Sequence, residues 1–467
     1  MLYFWVILAY LMILIGVGIY RSRFVKTQDD FMVAGRKLSA KVLVGTLLAT
    51  WIGSGSIIGS AGLAYERGFS SLWFDAGVWA ALIILYFIAG RARTLAQYTV
   101  PDMLEKRYNK QARLLGTIVT IIAYTAIVSY QFRAGGMVLN LITGITIEEG
   151  IIITAVFVIG YTVLAGLISV VYTDVINGIV MIIGLFIALP FLTEAAGGWS
   201  NIAARLPEAH FSVMGDMTIW KALSYSIPTM LLLLGESGMY QRFFSAKDER
   251  AARRSVIGWI SGTIIIETLI VVLAIVGASI FLDIDSEMVI LYSVKEGLPV
   301  AIGCITLAAI VAVIVSTADS FLLVPATNVM RDIYQRFINP DVSQKKMVLY
   351  LRIVVVLLGL VAYVQVQFFE RVLEMAIYAY TMYGVGITPA VMAAFFWKRA
   401  TAVGAVASIA SGMVVTLLWE IFALADSTGL ETIYPALASS LFCLIVLSLL
   451  SKKPNPEKWK PFFPKNI

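Results

Sequence analysis

Residues 49–62 read ATWIGSGSIIGSAG and follow the apolar run VLVGTLL at 42–48. Four glycines and three serines in so short a stretch would suit an exposed loop. The surroundings are instead those of a lipid bilayer: 60% of the 467 residues are hydrophobic and 14% are charged, against about a quarter charged in soluble domains. In hydrocarbon each unpaired backbone N–H or C=O costs several kcal/mol. A helix broken by glycine at that depth exposes backbone that something must use.

Apolar runs able to cross a roughly 30 Å hydrocarbon core recur thirteen times, from residues 2–20, 41–66 and 69–90 through to 402–424 and 430–451. The expected fold is an all-α polytopic membrane protein of about thirteen transmembrane helices. The first run has neither the basic start nor the cleavage site of a signal peptide and reads as a retained span. Lys and Arg number six in 21–41, six in 91–113, five in 242–254, five in 331–352, two at 398–399 and five in 452–465. Those alternate connections hold 29 of the 35 basic residues. The positive-inside rule makes them cytoplasmic, with the N-terminus outside and the C-terminus inside a cell membrane. The net charge of +6 is then topology, and no nucleic-acid binding is read from it. His210 lies in a polar connection, and Cys304 and Cys443 lie in apolar runs. That leaves no material for a histidine metal site, Ser–His catalysis or a disulfide framework, so an enzyme is not expected.

A second break, LLLLGESGMYQRF at 231–243, interrupts the seventh span as residues 49–62 interrupt the second. The two are five spans apart and enter from opposite sides. Matched broken segments in halves of opposite topology point to inverted repeats around a midplane site; close helix packing is the other use of such small residues. The ninth span carries VAVIVSTADSFLLVPATNVMRDIY at 311–334. Helical spacing puts Ser316, Asp319 and Ser320 on one face with Thr317 beside them. Membrane hydroxyls often bond their own helix, but a carboxylate near the bilayer centre costs roughly 2.5–3.5 kcal/mol unless paired. Oxygen groups of this kind suit a hard cation.

Several stretches together resemble the sodium:solute symporter family. They are DDFMVAGRKLS at 29–39, ATWIGSG with IIGSAGLAY at 49–65, VVYTDVINGIVMIIG at 170–184, YQRFFSAKDERAARRS at 240–255, and STADSFLL with RDIY at 316–334. The resemblance implies a LeuT-type five-plus-five inverted repeat with two broken helices, and uptake of a small solute driven by sodium. It implies a first repeat in 41–217 and a second in 218–400, with peripheral helices in 1–40 and 401–467. It also implies a sodium site made by the carbonyls of Ala49, Ile52 and Val313 and the hydroxyls of Ser316 and Thr317. In two-sodium members the aspartate matching Asp174 joins serines of the ninth span. Here Ser320 matches, while Asp319 stands where those members more often carry serine. A second cation site, a proton site and a structural role for Asp174 all remain open.

For the solute, Trp51 and Glu236 lie at similar expected depth, about 12–15 Å from their cytoplasmic helix ends, flanked by Gly53, Ser54 and Ser237. An aromatic face and a carboxylate at one level could receive an ammonium group; packing for Trp51 and a bond to unwound backbone for Glu236 are the plainer roles. Arg133 is a candidate anchor for a carboxylate, although its expected height, about 32 Å up its helix, favours a vestibule. A sodium-coupled importer of an amine or zwitterion is the leading expectation. The alternatives are a proton-coupled carrier of the same fold and a solute sensor. The oligomeric state is not legible.

Overall fold

The computed structural model describes residues 2–22, 33–95, 97–164 and 167–463. The described residues are helical, with no β-strand beyond one isolated bridge. The chain runs through α1 (Leu2–Ser22), α2 (Ala40–Trp51), a π-helical turn (Gly55–Ser60), α3 (Ala61–Arg67), α4 (Leu72–Leu95), the short α5 (Val100–Arg107), α6 (Lys110–Thr143), α7 (Ile147–Leu164) and α8 (Leu167–Ala195). It continues through α9 (Ile219–Gly235), α10 (Ser237–Ser245), α11 (Glu249–Ile280), α12 (Val300–Asn328), α13 (Gln344–Gln365), α14 (Val372–Phe396), α15 (Ala402–Ile421) and α16 (Ile433–Leu450).

Ten helices among the described residues are long and apolar enough to cross a membrane. Leu2–Val17 and Ala40–Trp51 are shorter apolar helices, and Gly55–Leu95 counts as one span although it joins the outer limb of the first break to α4. A broken span presents two short limbs, so length alone cannot register it. The second span is α2, the π turn and α3; the seventh is α9 and α10.

Packing follows an offset of five spans. Helix α9 packs on α4 and α14, just as the broken second span packs on α11 and α8. Helix α14 packs on α6 as α8 packs on α12, and α6 meets α7 as α12 meets α13. The α4–α11 and α6–α12 pairs each map onto themselves under the same offset.

Polar devices close both ends of the bundle. At the end where α2 starts, Leu38 N donates to Ser245 O at 3.1 Å and Lys247 N donates to Leu38 O at 2.9 Å, tying the two broken spans together. Nearby, the nearly buried Arg113 bridges Asp102 at 2.6 Å, Glu105 at 2.7 Å and Asp332 at 2.5 Å, and Arg336 adds a bond to Glu105 at 2.6 Å. At the far end Arg371 pairs with Glu66 at 2.7 Å, and Glu287 accepts from the N–H groups of Val372 and Leu373, both at 2.9 Å. Those two N–H groups open α14 and would otherwise lack partners.

Candidate functional site

The inner limb of the second span starts at a serine cap, Ser39 Oγ accepting from Val42 N at 3.5 Å. It ends where Ile52 turns to an extended conformation, φ −79° and ψ 95°. The outer limb restarts on Gly53, whose carbonyl accepts from Ser56 N at 3.2 Å and Ile57 N at 3.0 Å. Between the limbs, no backbone N–H among the described residues meets the carbonyls of Ala49 or Ile52. Ser54 N and Oγ instead reach Gln131 Oε1 on α6, at 3.4 and 2.8 Å.

Helix α12 comes directly against this break. A side chain on Gly53 would begin 3.0 Å from Thr317 Cγ2 and 3.2 Å from Thr317 Oγ1. Thr317 is buried, and its hydroxyl has no hydrogen-bond partner among the described residues. Val313, one turn earlier on the same face, is fully buried. Helix α8 closes the third side, where a side chain on Gly178 would begin 3.3 Å from Ala49 Cβ. Ser316 borders a cavity of about 10 Å³ together with Asn177 of α8, room for about one water. Freed carbonyls at the break, a hydroxyl with no other use and a second hydroxyl one residue away form a set of oxygens suited to a hard cation.

Asp319 and Ser320 lie one turn further on and are buried. The structure adds a neighbour that the sequence reading placed in a loop, Arg242. Its guanidinium is buried and donates to Thr46 Oγ1 at 3.1 Å, Gly238 O at 3.1 Å, Ser320 Oγ at 3.4 Å and Thr50 Oγ1. Counted along the chain, it belongs to the run of basic residues at 242–254. It is buried because four residues of α2, α10 and α12 give it acceptors. Asp174 lies on α8, in a stretch whose side chains fall outside the description.

The second break is dressed differently. Glu236 ends α9 and caps α10, its carboxylate accepting from Gly238 N at 2.9 Å, Met239 N at 2.6 Å and the Tyr124 hydroxyl. Ser237 N donates to Tyr124 Oη at 2.8 Å, and Ser237 Oγ lies 2.9 Å from Tyr383 Oη. Tyr383 in turn donates to Gly235 O at 2.8 Å. At Gly235 a Cβ would sit 2.2 Å from Thr388 Oγ1, so only glycine allows α14 this close. The side-chain oxygens of Glu236 and Ser237 thus serve the break and the helices against it.

Trp51 is partly exposed, and its indole donates to Glu267 Oε1 of α11 at 2.9 Å. Trp79 of α4 donates to the other oxygen of Glu267 at 2.8 Å. Trp51 and Glu236 therefore have separate partners. Arg133 is partly exposed and makes no hydrogen bond or ion pair with the described residues. The sequence reading passed over Gln131, Arg242, Asp75 and Glu267. Gln131 stood two residues from Arg133, and the two acids, each alone in an apolar span, carried the signal of an intramembrane carboxylate.

The profile of the sodium:solute symporter family matches residues 31–412. The osmoregulated proline transporter OpuE of Bacillus subtilis is 26% identical over 96% of this chain and 97% of its own length. The high-affinity proline transporter PutP of the same organism is 27% identical over 95% and 97%. Among solved structures, the substrate-bound outward-open state of a sodium-coupled sialic acid symporter superposes with a TM-score of 0.82 at 20% identity, covering 97% of this chain and 98% of that one. Mhp1, a nucleobase-cation-symport transporter, follows with a TM-score of 0.60 over 91% and 94%. A fold shared with these transporters, a helix opened at the oxygens of Ala49 and Ile52, and a match across most of the length make this chain a member of the sodium:solute symporter family.

Proposed function

We propose that the chain imports a small amine or zwitterion together with sodium, by alternating access about its two broken spans. The observation that carries the proposal is the contact of Thr317, its hydroxyl unpartnered, with the open backbone at Gly53. Sodium would take the carbonyls of Ala49, Ile52 and Val313 and the hydroxyls of Ser316 and Thr317, replacing its water with fixed oxygens. Because those ligands come from a broken helix and from α12, an ion there ties the two together. Its departure lets them separate, which is how ion binding biases a two-state transporter.

The group of Asp174, Asp319 and Ser320 is a candidate for a second cation or a proton. The guanidinium of Arg242, 3.4 Å from Ser320 Oγ, places a fixed positive charge there, which supports one sodium per cycle. The pairing of helices at an offset of five supports repeats in 41–217 and 218–400, with 1–40 and 401–467 peripheral, and thirteen spans in all. The ionic cluster around Arg113 would face the cytoplasm, with the N-terminus outside a cell membrane. The proline transporters among the relatives support a solute that carries an ammonium group.

Uptake into proteoliposomes tests the reading. Amines, amino acids, organic acids and sugars are offered under an inward sodium gradient and under an equal potassium gradient. Accumulation of one class with sodium alone is expected. Equal accumulation with potassium, driven by a pH gradient, would replace sodium coupling by proton coupling.

A further inference from the structure

We infer that Asp75 and Glu267 form the subsite for the positively charged group of the solute, an assignment that rests on the transport reading above. The two carboxylates belong to α4 and α11, which pack on each other. Both are 1% exposed, and they are close enough to interact electrostatically. No Lys, Arg or His among the described residues forms an ion pair with either one. Their donors are few and neutral. Glu267 receives the indoles of Trp51 and Trp79, and Asp75 Oδ2 receives Ser60 Oγ at 3.0 Å. Asp75 Oδ1 is buried with no hydrogen-bond partner among the described residues.

Two carboxylates so deep in a membrane protein, met by three neutral donors, are expensive to keep charged unless a cation joins them. The described protein supplies none, which leaves a proton or the positively charged group of a ligand to do so, and the aromatic lining favours the ligand. The lining selects an organic cation over a metal ion. Trp51 and Tyr380 present rings 6.4 Å apart beside the carboxylates, and Tyr380 lies in the field of both acids. Aromatic faces with carboxylates suit an alkylammonium or guanidinium group through cation–π and charge attraction, and no third Asp, Glu, His or Cys among the described residues joins the pair to make a metal-holding group. The carboxylates reach both limbs of the second span, Glu267 through Trp51 of the inner limb and Asp75 through Ser60 at the end of the π turn in the outer one. A cation drawn between them thus loads the helix whose backbone meets Thr317, which couples solute to sodium through one element.

The test uses the full chain in lipid nanodiscs and three probes, ethanolamine, agmatine and tetramethylammonium, with uncharged ethylene glycol as control, each titrated at fixed sodium. At least one cation is expected to bind, and ethylene glycol is not. Asp75→Asn and Glu267→Gln should each weaken that cation by about tenfold or more, the scale of losing one partner of a desolvated charge pair, while thermal stabilisation by sodium alone persists. Should one variant fail to fold, the other, with each cation compared against ethylene glycol, decides the matter. Cation binding unchanged in both variants would overturn the assignment, as would sodium-dependent binding only of solutes that carry no positively charged group. That last result would leave sodium-coupled transport standing. Solute binding indifferent to sodium would instead overturn the transport reading itself.

Discussion

Thr317 Oγ1 lies 3.2 Å from the point at which a side chain on Gly53 would begin. Helix α12 and the opened second span therefore meet with no atom to spare. Gly53→Ala should push Thr317 and the break apart by a few tenths of an ångström. Overpacking of this kind costs about 1–3 kcal/mol, and the site tested here needs its oxygens at fixed distances. The variant is expected to fold, with sodium required at roughly tenfold higher concentration for half-maximal uptake, an equivalent of about 1.4 kcal/mol. A sodium titration of uptake checks it, and an unchanged midpoint would mean that this contact is not part of the ion site.

Glu236 is expected to act on stability before it acts on selectivity. Its carboxylate satisfies two N–H groups of α10 and the Tyr124 hydroxyl. Glu236→Ala leaves those donors buried and unmet, at about 1–3 kcal/mol, and a thermal melt should show the drop. Glu236→Gln keeps an acceptor oxygen and should leave the preference between cationic and neutral solutes unaltered. A selective loss of cation binding in Glu236→Gln would return the ammonium subsite to the second break.

The cluster at the basic end gives a pH dependence. Burial pushes the Glu105 carboxyl up, but hydrogen bonds and charge from Arg336 and Arg113 outweigh it and hold the group below the usual glutamate range. A carboxylate lowered in this way contributes stability that is fully present above the unfolded value, about 4.3. The contribution is lost as pH falls from there through the lowered folded value. Glu105→Gln should therefore lower the melting temperature at pH 7, by the equivalent of about 1 kcal/mol, because Arg336 is half-exposed and solvent screens its share of the pairing. The difference from the unaltered protein should shrink below about pH 4. Melts across that range check the sign.

The far end makes a complementary prediction. Arg371 holds Glu66 at 2.7 Å and Ser286 Oγ at 3.0 Å, joining the outer limb of the second span to α14. Glu66→Gln is expected to change stability by no more than about 1 kcal/mol, since the pair is half-exposed. It should nonetheless raise the accessibility of a cysteine placed at Ser60, measured by thiol labelling, because one tie on that mouth is gone. Labelling no faster than in the parent would assign the pair to surface structure alone.

Much of this protein was legible in its sequence because a bilayer imposes simple rules. The apolar runs, the alternating basic connections and the paired breaks at 49–62 and 231–243 all follow from the cost of unpaired backbone and charge in hydrocarbon. The family motifs paired Thr317 with the carbonyls of Ala49 and Ile52; the close approach of Thr317 to Gly53 is seen only in the packing, since no spacing rule relates residues so far apart in the chain. What escaped was partnership. Glu236 and Trp51 shared a depth, but depth says nothing of azimuth, and the helices turn one toward Tyr124 and the other toward Glu267. Asp75 and Glu267 were each a lone acid in an apolar run, and only the packing of α4 on α11 reveals them as a pair. Arg242 reads as a loop charge because the short α10 leaves the membrane right after it; its burial depends on acceptors from α2 and α12 as well as its own helix.

Sodium binding by Ser316→Ala combined with Thr317→Ala tests the central claim most directly. Thermal stabilisation of the purified protein is measured as sodium is titrated against a constant total of sodium and potassium, since a ligand of the folded state raises apparent stability by mass action. The account predicts a sodium-dependent shift in the parent that is lost in the double variant, with the fold retained in potassium. A sodium shift of the same size and midpoint in both proteins would contradict it and place the ion elsewhere.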